Sequence, residues 1–442
     1  MPPKKRGATP NGDANGPADK RKKTSTGNDH GNSKNNVDPL RQPHPFASTS
    51  EQHGIVLRGF YPAEMSNERA RAYADGTIPR PIDKLNTALE ETADVRSKVD
   101  PGEAVIHWFR ADLRVNDNRG LALAGERAKA AGVPLVGLYV ISPEDLEAHL
   151  AAPARVDFAL RSLDALRADL ANLDIPLHIE TVARRADLIS RVRRLVAHEW
   201  RAHHLFANME YEVDELRRDA RLVRLFAEGG EGEESYDSVD FTVVHDTCIV
   251  PPGTLSTGAG KQYAVYTPWF RAWLAHLRDK DPELLVASPP PPRNPTSVRE
   301  QPRLAALFDG TVPEAPANKR LAGGREETEQ MRKLWPAGER AALERLQKFC
   351  DDRVTEYAER RNLPADEGAT SSLSAHFVAG TLSARAAVRA ARDRNKTKKL
   401  DGGASGITTW ISEVAWRDFY KHVLVNWPYV WWVDLCLPTC RF

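Results

Sequence analysis

The sequence predicts an α/β parallel-sheet region followed by an all-α region. Three observations point there. Short β-rich runs at 104–109, 135–140, 177–182, 204–208 and 239–244 alternate with amphipathic stretches, and parallel strands need a crossover, usually a helix, between neighbours. The stretch Arg155 to Asn172 sets Phe158, Leu160, Leu163, Leu166 and Leu170 at helical spacing, a stripe suited to packing on a sheet. Beyond Ala287, the run Pro289 to Pro292 favours extended backbone and a boundary, and the apolar residues after it recur at steps of three and four.

Taken in order, residues 1–45 hold nine Lys/Arg and four Asp/Glu, little apolar material, and many Gly, Asn and Pro. That composition predicts a disordered basic tail. The clusters Lys4 to Arg6 and Lys20 to Lys23 have the layout of a bipartite nuclear import signal, the alternative being a solvated tail. Residues 46–100 read as a leader segment on the outside of the fold, 101–286 as the α/β domain, 287–330 as a Pro-rich connector and 331–442 as the helical domain. Within the last, Ala337 to Arg361 predicts one amphipathic helix carrying Leu343, Leu346, Cys350, Val354 and Tyr357 on its apolar face.

Composition removes several classes. The 442 residues are 41% hydrophobic and 28% charged, enough for about two or three soluble domains. No apolar run reaches the roughly 20 residues that span a bilayer, and no secretory leader opens the chain. A soluble intracellular monomer is expected. Cys248, Cys350, Cys436 and Cys440 are too few and scattered for a disulfide framework, and nothing near Cys436 and Cys440 completes a zinc site, so no metal is expected. Neither the dinucleotide nor the nucleoside triphosphate glycine fingerprint follows a strand. The net charge of +1 combines the tail's +5 with −4 elsewhere, so any DNA affinity of the folded part must come from a local basic groove.

Two helix starts carry candidate chemistry. Thr370, Ser371, Ser372, Leu373 and Ser374 crowd hydroxyls before the run Ala375 to Ala379, which predicts an N-cap and offers a seat for a diphosphate. The next helix, Ile407 to about Trp427, sets Trp410, Glu413, Arg417 and Tyr420 on one face. Elsewhere Glu413 and Arg417 would make an exposed i,i+4 pair, but this helix is apolar nearly all round, so the pair is expected to line a polar cleft.

The element Trp410-Ile411-Ser412-Glu413-Val414-Ala415-Trp416-Arg417-Asp418-Phe419-Tyr420 resembles the W-x-x-E-x-x-W-R-[ED]-F-Y motif of the DNA photolyase and cryptochrome family. Tyr357, the 370–374 box and His107 to Arg114 at the first strand occur in family order. The resemblance covers roughly residues 100–430 and is closest to fungal class I cyclobutane pyrimidine dimer photolyases. It implies a Rossmann-like sheet domain that carries an antenna chromophore, then a helical FAD-binding domain. On this resemblance Tyr357, Thr370, Ser371, Ser372, Leu373, Ser374, Trp410, Glu413 and Arg417 would contact FAD. Glu413 and Trp416 would engage the lesion, and Arg361 with Trp416 would bind DNA. His149, Asp214 and Glu215 match positions that contact a reduced folate antenna, methenyltetrahydrofolate, although acidic residues also open helices for dipole reasons.

The implied activity is light-dependent DNA repair, the splitting of cyclobutane dimers by an electron from excited reduced FAD. UV-damaged DNA and a nuclear import receptor are the implied partners. The nucleus is the implied location, with the mitochondrion as a second destination. The departure follows the motif: Trp427-Pro428-Tyr429-Val430-Trp431-Trp432 runs into a short apolar tail instead of the family's long helical continuation. Five of the ten tryptophans lie between Trp410 and Trp432 with little chain left to cover them. An incomplete FAD domain with impaired repair is therefore expected, a cryptochrome-like photoreceptor or a non-catalytic product being the alternatives.

Overall fold

The computed structural model describes residues 67–230, 236–363 and 368–428. The basic tail with its two lysine-rich clusters, the leader up to residue 66, Trp431, Trp432, Cys436 and Cys440 lie outside the described residues. Five strands, β1 Ala104–Phe109, β2 Leu135–Ile141, β3 Leu177–Thr181, β4 Ala202–Asn208 and β5 Asp240–Val244, form one sheet. Its order is β3-β2-β1-β4-β5, parallel throughout. The predicted strands are all present, with ends that coincide or differ by one or two residues.

The helices used below are α1 Pro81–Glu91, α2 Arg119–Ala131, α3 Pro143–Ala148, α4 Pro153–Ala171, α5 Val213–Glu228, α6 Tyr266–Ala275, α7 Glu339–Asp352, α8 Tyr357–Arg360, α9 Ser374–Ala379, α10 Ala384–Asp393 and α11 Ser405–Asn426. Strand β1 is buried at every residue, as expected of a central parallel strand covered on both faces. One face packs Ile106, Trp108 and Leu138 on α1 and α5. The other packs Val105, Phe109 and Leu177 on α2 and α4, through Leu121, Leu163 and Leu170. Leu160 departs from the predicted stripe: it is half-buried and turns to a cavity rather than to the sheet.

The connector is not simply extended. It contains a 3-10 turn at Thr296–Glu300 and a helix at Pro302–Phe308, and polar clamps fix it to the sheet region. Asn294 bonds the Leu135 backbone at N and O (2.9 and 2.8 Å), while Arg293 and Arg299 each reach Asp174 at 2.6 Å.

The single helix expected over 337–361 is broken. Helix α7 stops at Asp352, Arg353 leaves helical geometry (φ −138°), a 3-10 turn covers Val354–Glu356, and α8 follows. The break lays the carbonyls of Val354 and Thr355 against Gly406 of α11, where any Cβ would collide with both. The expected apolar face is otherwise kept: Leu346, Cys350, Val354 and Tyr357 are buried, and only Leu343 departs from it at 40% exposed, with Ala342 and Phe349 buried instead. Helix α11 forms the centre of the helical core, burying Trp410, Ile411, Val414 and Phe419 against Trp269 and Trp273.

The helical core is locked to the sheet region by buried charges. Arg385 of α10 meets Asp117 (3.0 Å) and Asp246 (2.7 Å), and Arg114 also pairs with Asp246. Asp117 further accepts from Ser288 N, Ser383 Oγ and Arg389. Glu339, at the start of α7, accepts from the backbone N–H groups of Val115 and Asn116 (2.8 and 3.1 Å). Helix α9 ends at Gly380 (φ +70°), which seats against the Ala111 carbonyl so closely that a Cβ would fall on it.

Candidate functional site

Two sites emerge, joined by α11. The first is a cavity of 460 Å³ beyond the carboxyl ends of β1 and β2, lined by Phe109, Tyr139 and Ser142, by Glu210 and Arg218 after β4, and by Ser374 of α9. The strand order reverses between β1 and β4, and ligands of open α/β sheets bind in the crevice at such a switch point. Burial pushes the Glu210 carboxyl up to about 7 against the opposing pull of Arg218 and Arg110.

At the rim of this cavity the structure brings together His149, Glu215 and Asp214. His149 Nε2 lies 3.0 Å from Glu215 and 3.7 Å from Asp145, while Arg185 holds Asp214 at 2.5 Å and Asp145 at 2.9 Å. Acidic residues do open α5, yet Glu215 is buried and its Oε2 finds no hydrogen-bond partner among the described residues. Ligand atoms of Asp145, His149 and Glu215 lie within 4.8 Å of one another. Two cations of the chain itself, His149 and Arg185, already answer these carboxylates.

Burial alone would lower the His149 pKa, but contact with Glu215 and the charge of Asp145 outweigh it and raise it from 6.5 to about 9. The folded value exceeds the unfolded one, so this stabilisation is fully present below pH 6.5 and is lost as pH rises through about 9. An NMR titration of the His149 imidazole should show a midpoint near 9. A midpoint near 6.5 would remove the ion pair from the account.

The second site lies along α11. No hydroxyl caps α9: its N-cap is Leu373, which is buried and offers no side-chain acceptor. The expected capping fails because Ser372 takes a left-handed turn (φ +51°), with its carbonyl held by Arg345 at 3.1 Å, and this turn directs Leu373 into the core. The hydroxyls of Thr370, Ser371, Ser372 and Ser374 make no hydrogen bond to another described residue.

Glu413 does not pair with Arg417. Its partner is Arg361, just beyond α8, and burial plus the Glu413 charge raise the pKa of neighbouring Tyr357. Arg417 instead donates to the Thr247 carbonyl at 2.7 Å and lies 5.8 Å from the Phe377 ring of α9. The i,i+4 partner was lost because each residue found a tertiary one. Trp410 is buried beside Phe349, which meets Tyr357 edge-on, so these three rings back the Arg361–Glu413 pair. Trp416 is half-buried with Tyr266 stacked on it.

Sequence reasoning missed Tyr266, Asp418 and Lys421. Asp418 is fully buried, which pushes its carboxyl up to about 6 against Arg417, and it accepts from Ile249 N at 2.8 Å. Lys421 reaches Glu212 at 2.5 Å, linking α11 to the segment that carries Asp214 and Glu215. The signal for Tyr266 was present in the aromatic steps Tyr266, Trp269, Phe270 and Trp273.

A sequence profile of the DNA photolyase family matches residues 105–292. The deoxyribodipyrimidine photo-lyase of Neurospora crassa is 56% identical over 435 residues, 97% of this chain and 69% of that protein. Its Escherichia coli counterpart is 31% identical, covering 74% of this chain and 63% of its own length. A bacterial class III photolyase from Agrobacterium tumefaciens superposes with a TM-score of 0.55 at 25% identity, over 75% of this chain and 60% of its own. A Synechocystis cryptochrome shares the fold, with a TM-score of 0.53 at 18% identity over 73% of this chain and 61% of its own. Among these relatives the chain thus spans 60 to 69% of their lengths. On the strength of the Neurospora relative, the chain belongs to the DNA photolyase family.

Proposed function

We propose that this protein binds FAD and an antenna chromophore and carries out light-dependent repair of cyclobutane pyrimidine dimers in DNA. The observation that carries this reading is the convergence of Tyr357, the Arg361–Glu413 pair and Trp416 beside α11. Residues 101–286 are the antenna domain and 331–442 the FAD domain in this reading.

The residues present fit the cofactor. The hydroxyls of Thr370, Ser371, Ser372 and Ser374, without a hydrogen-bond partner among the described residues, suit a diphosphate, with Leu373 buried behind them, and Arg345 beside Ser372 adds positive charge. Tyr357, Trp410 and Arg417 supply the wall next to it. FAD, when bound, supplies the light-driven one-electron chemistry, and the protein contributes binding, orientation and electrostatics.

A lesion flipped out of the duplex needs a stacking surface, and a damaged, poorly stacked pair is the least costly to flip. Trp416 provides that surface. Arg361 is exposed, so it can exchange Glu413 for a DNA phosphate, leaving the Glu413 carboxylate to accept a hydrogen bond from the base. The antenna is a reduced folate, methenyltetrahydrofolate, held at His149, Asp214 and Glu215. The open Glu215 Oε2 is the acceptor that the amino edge of a pterin requires.

The enzyme acts as a monomer. It reaches the nucleus through Lys4 to Arg6 and Lys20 to Lys23, with the mitochondrion as a second destination; a yeast relative is described as mitochondrial. No described helix is long and apolar enough to cross a membrane.

The test is blue light on irradiated DNA with the purified protein: dimers should disappear in light and persist in darkness. Persistence in both would favour a cryptochrome-like signalling role. Trp416→Ala should lower affinity for dimer-containing DNA relative to undamaged DNA by about 1 to 3 kcal/mol, roughly 5- to 150-fold, measured by fluorescence anisotropy.

A further inference from the structure

The aromatic ring best placed to control Trp416 belongs to another helix. Tyr266 opens α6 directly after the extended Val265, and its ring lies 3.5 Å from Trp416 centroid to centroid at an interplanar angle of 10°. Its hydroxyl meets the Ser412 carbonyl at 2.9 Å and the Ser412 hydroxyl at 2.7 Å. In an α-helix the carbonyl of residue 412 is also the one that receives the N–H of residue 416. Tyr266 therefore grips the same turn of α11 by its ring and by its oxygen.

The stack extends in both directions. Phe270 lies 5.3 Å from Tyr266 at 13°, and Trp273, fully buried, lies 5.8 Å from Phe270 at 23°. Outward, Tyr420 lies 5.6 Å from Trp416 at 29° and is 60% exposed. The ladder Trp273–Phe270–Tyr266–Trp416–Tyr420 thus begins in the core and ends in solvent. A half-buried indole without such backing would sample several rotamers, and a base stacking on it would have to order it first.

We propose that Tyr266 is a positioning residue for DNA recognition: it holds the Trp416 ring ready for the flipped base and ties that ring to the turn carrying Glu413. This rests on the reading of Trp416 as the stacking surface. Core packing alone does not account for the arrangement, because Tyr266 is only half-buried and its hydroxyl is committed to two oxygens of one residue.

The experiment uses the full 442-residue chain and a fluorescent oligonucleotide with or without one thymine dimer. Tyr266→Leu should reduce the preference for the dimer about tenfold, the upper end of what ordering one side chain costs. Affinity for undamaged DNA should stay within about twofold, since phosphate contacts dominate it. Tyr266→Phe, which keeps the ring and loses the hydroxyl, should lose about threefold. Tyr266→Trp should restore most of the preference by restoring the stack.

The double variant Tyr266→Leu with Trp416→Ala should lose no more than Trp416→Ala alone, because Tyr266 acts through that ring. Additive losses, or unchanged preference in Tyr266→Leu while Trp416→Ala is impaired, would overturn the proposal. Unchanged preference in Trp416→Ala itself would overturn the functional reading instead. If thermal melting shows that Tyr266→Leu does not fold, Tyr266→Phe decides, and wild-type preference there refutes the tie to Ser412.

Discussion

Arg385→Ala lowers the unfolding free energy by about 3 to 5 kcal/mol, the usual cost of removing one partner from a buried charge cluster. Arg385 is 1% exposed and answers two carboxylates, Asp117 and Asp246, that are themselves buried. Truncating it leaves Asp246 with Arg114 and the Arg119 backbone N–H, and Asp117 with Arg389, Ser383 and one backbone N–H. Both carboxylates have pKa values held below the usual range despite burial, with Arg385 among the main causes, so they stay charged and keep their demand for a partner. Arg389, half-buried and bound to Asp117 and the Leu285 carbonyl, is the comparison: its alanine variant should lose about 1 kcal/mol. Urea unfolding curves of the two variants decide the matter, and a loss of only about 1 kcal/mol for Arg385→Ala as well would show that the buried cluster does not depend on Arg385.

Gly380→Val is the second large effect, a loss of about 3 kcal/mol or more. Two terms combine. A left-handed conformation costs a side-chain-bearing residue about 1 to 2 kcal/mol, and forced overpacking adds about 1 to 3. Here the obstacle is the Ala111 carbonyl, backbone that cannot swing aside, while Arg114 and the Leu113 N–H bond the adjacent carbonyls of Gly380 and Ala379. Gly132 has almost the same φ (+69°) but open space around it, so Gly132→Val isolates the conformational term. The difference between the two variants, read from thermal or urea midpoints, reports the collision alone. Similar losses at both positions would mean that α9 can retreat from β1, contrary to the close docking described above.

Much of the fold was legible because it depends on local periodicity. The five strands and the stripe of α4 follow from runs of Val, Leu and Ile whose spacing has one physical solution. The break at Arg353 was not legible: its cause is the approach of Gly406, fifty-three residues later, and no local pattern announces that neighbour. The site divides the same way. Motif resemblance indicated Tyr357, Glu413, Trp416 and Arg417, but spacing suggested Glu413–Arg417, whereas each residue took a partner from another element. The serines before α9 have the composition of a cap, yet the left-handed turn at Ser372 set Leu373 there instead. Tyr266 stayed hidden because stacking depends on how α6 crosses α11, a tertiary property that aromatic spacing only hints at.

Helix α11 is a continuous 22-residue rod, about 33 Å long at 1.5 Å per residue. Along it sit Gly406 under the broken turn, Glu413 opposite Arg361, Trp416 under Tyr266, Asp418 holding Ile249 and Lys421 holding Glu212. A rod of this kind tolerates exchange of side chains but not a change of length. One residue inserted between Gly406 and Glu413 would rotate everything downstream by about 100° and advance it by about 1.5 Å. The stacking surface, the aspartate clamp and the link to the cavity rim would all move out of register together. Attempts to diversify the site should therefore keep residues 405–426 as a fixed ruler.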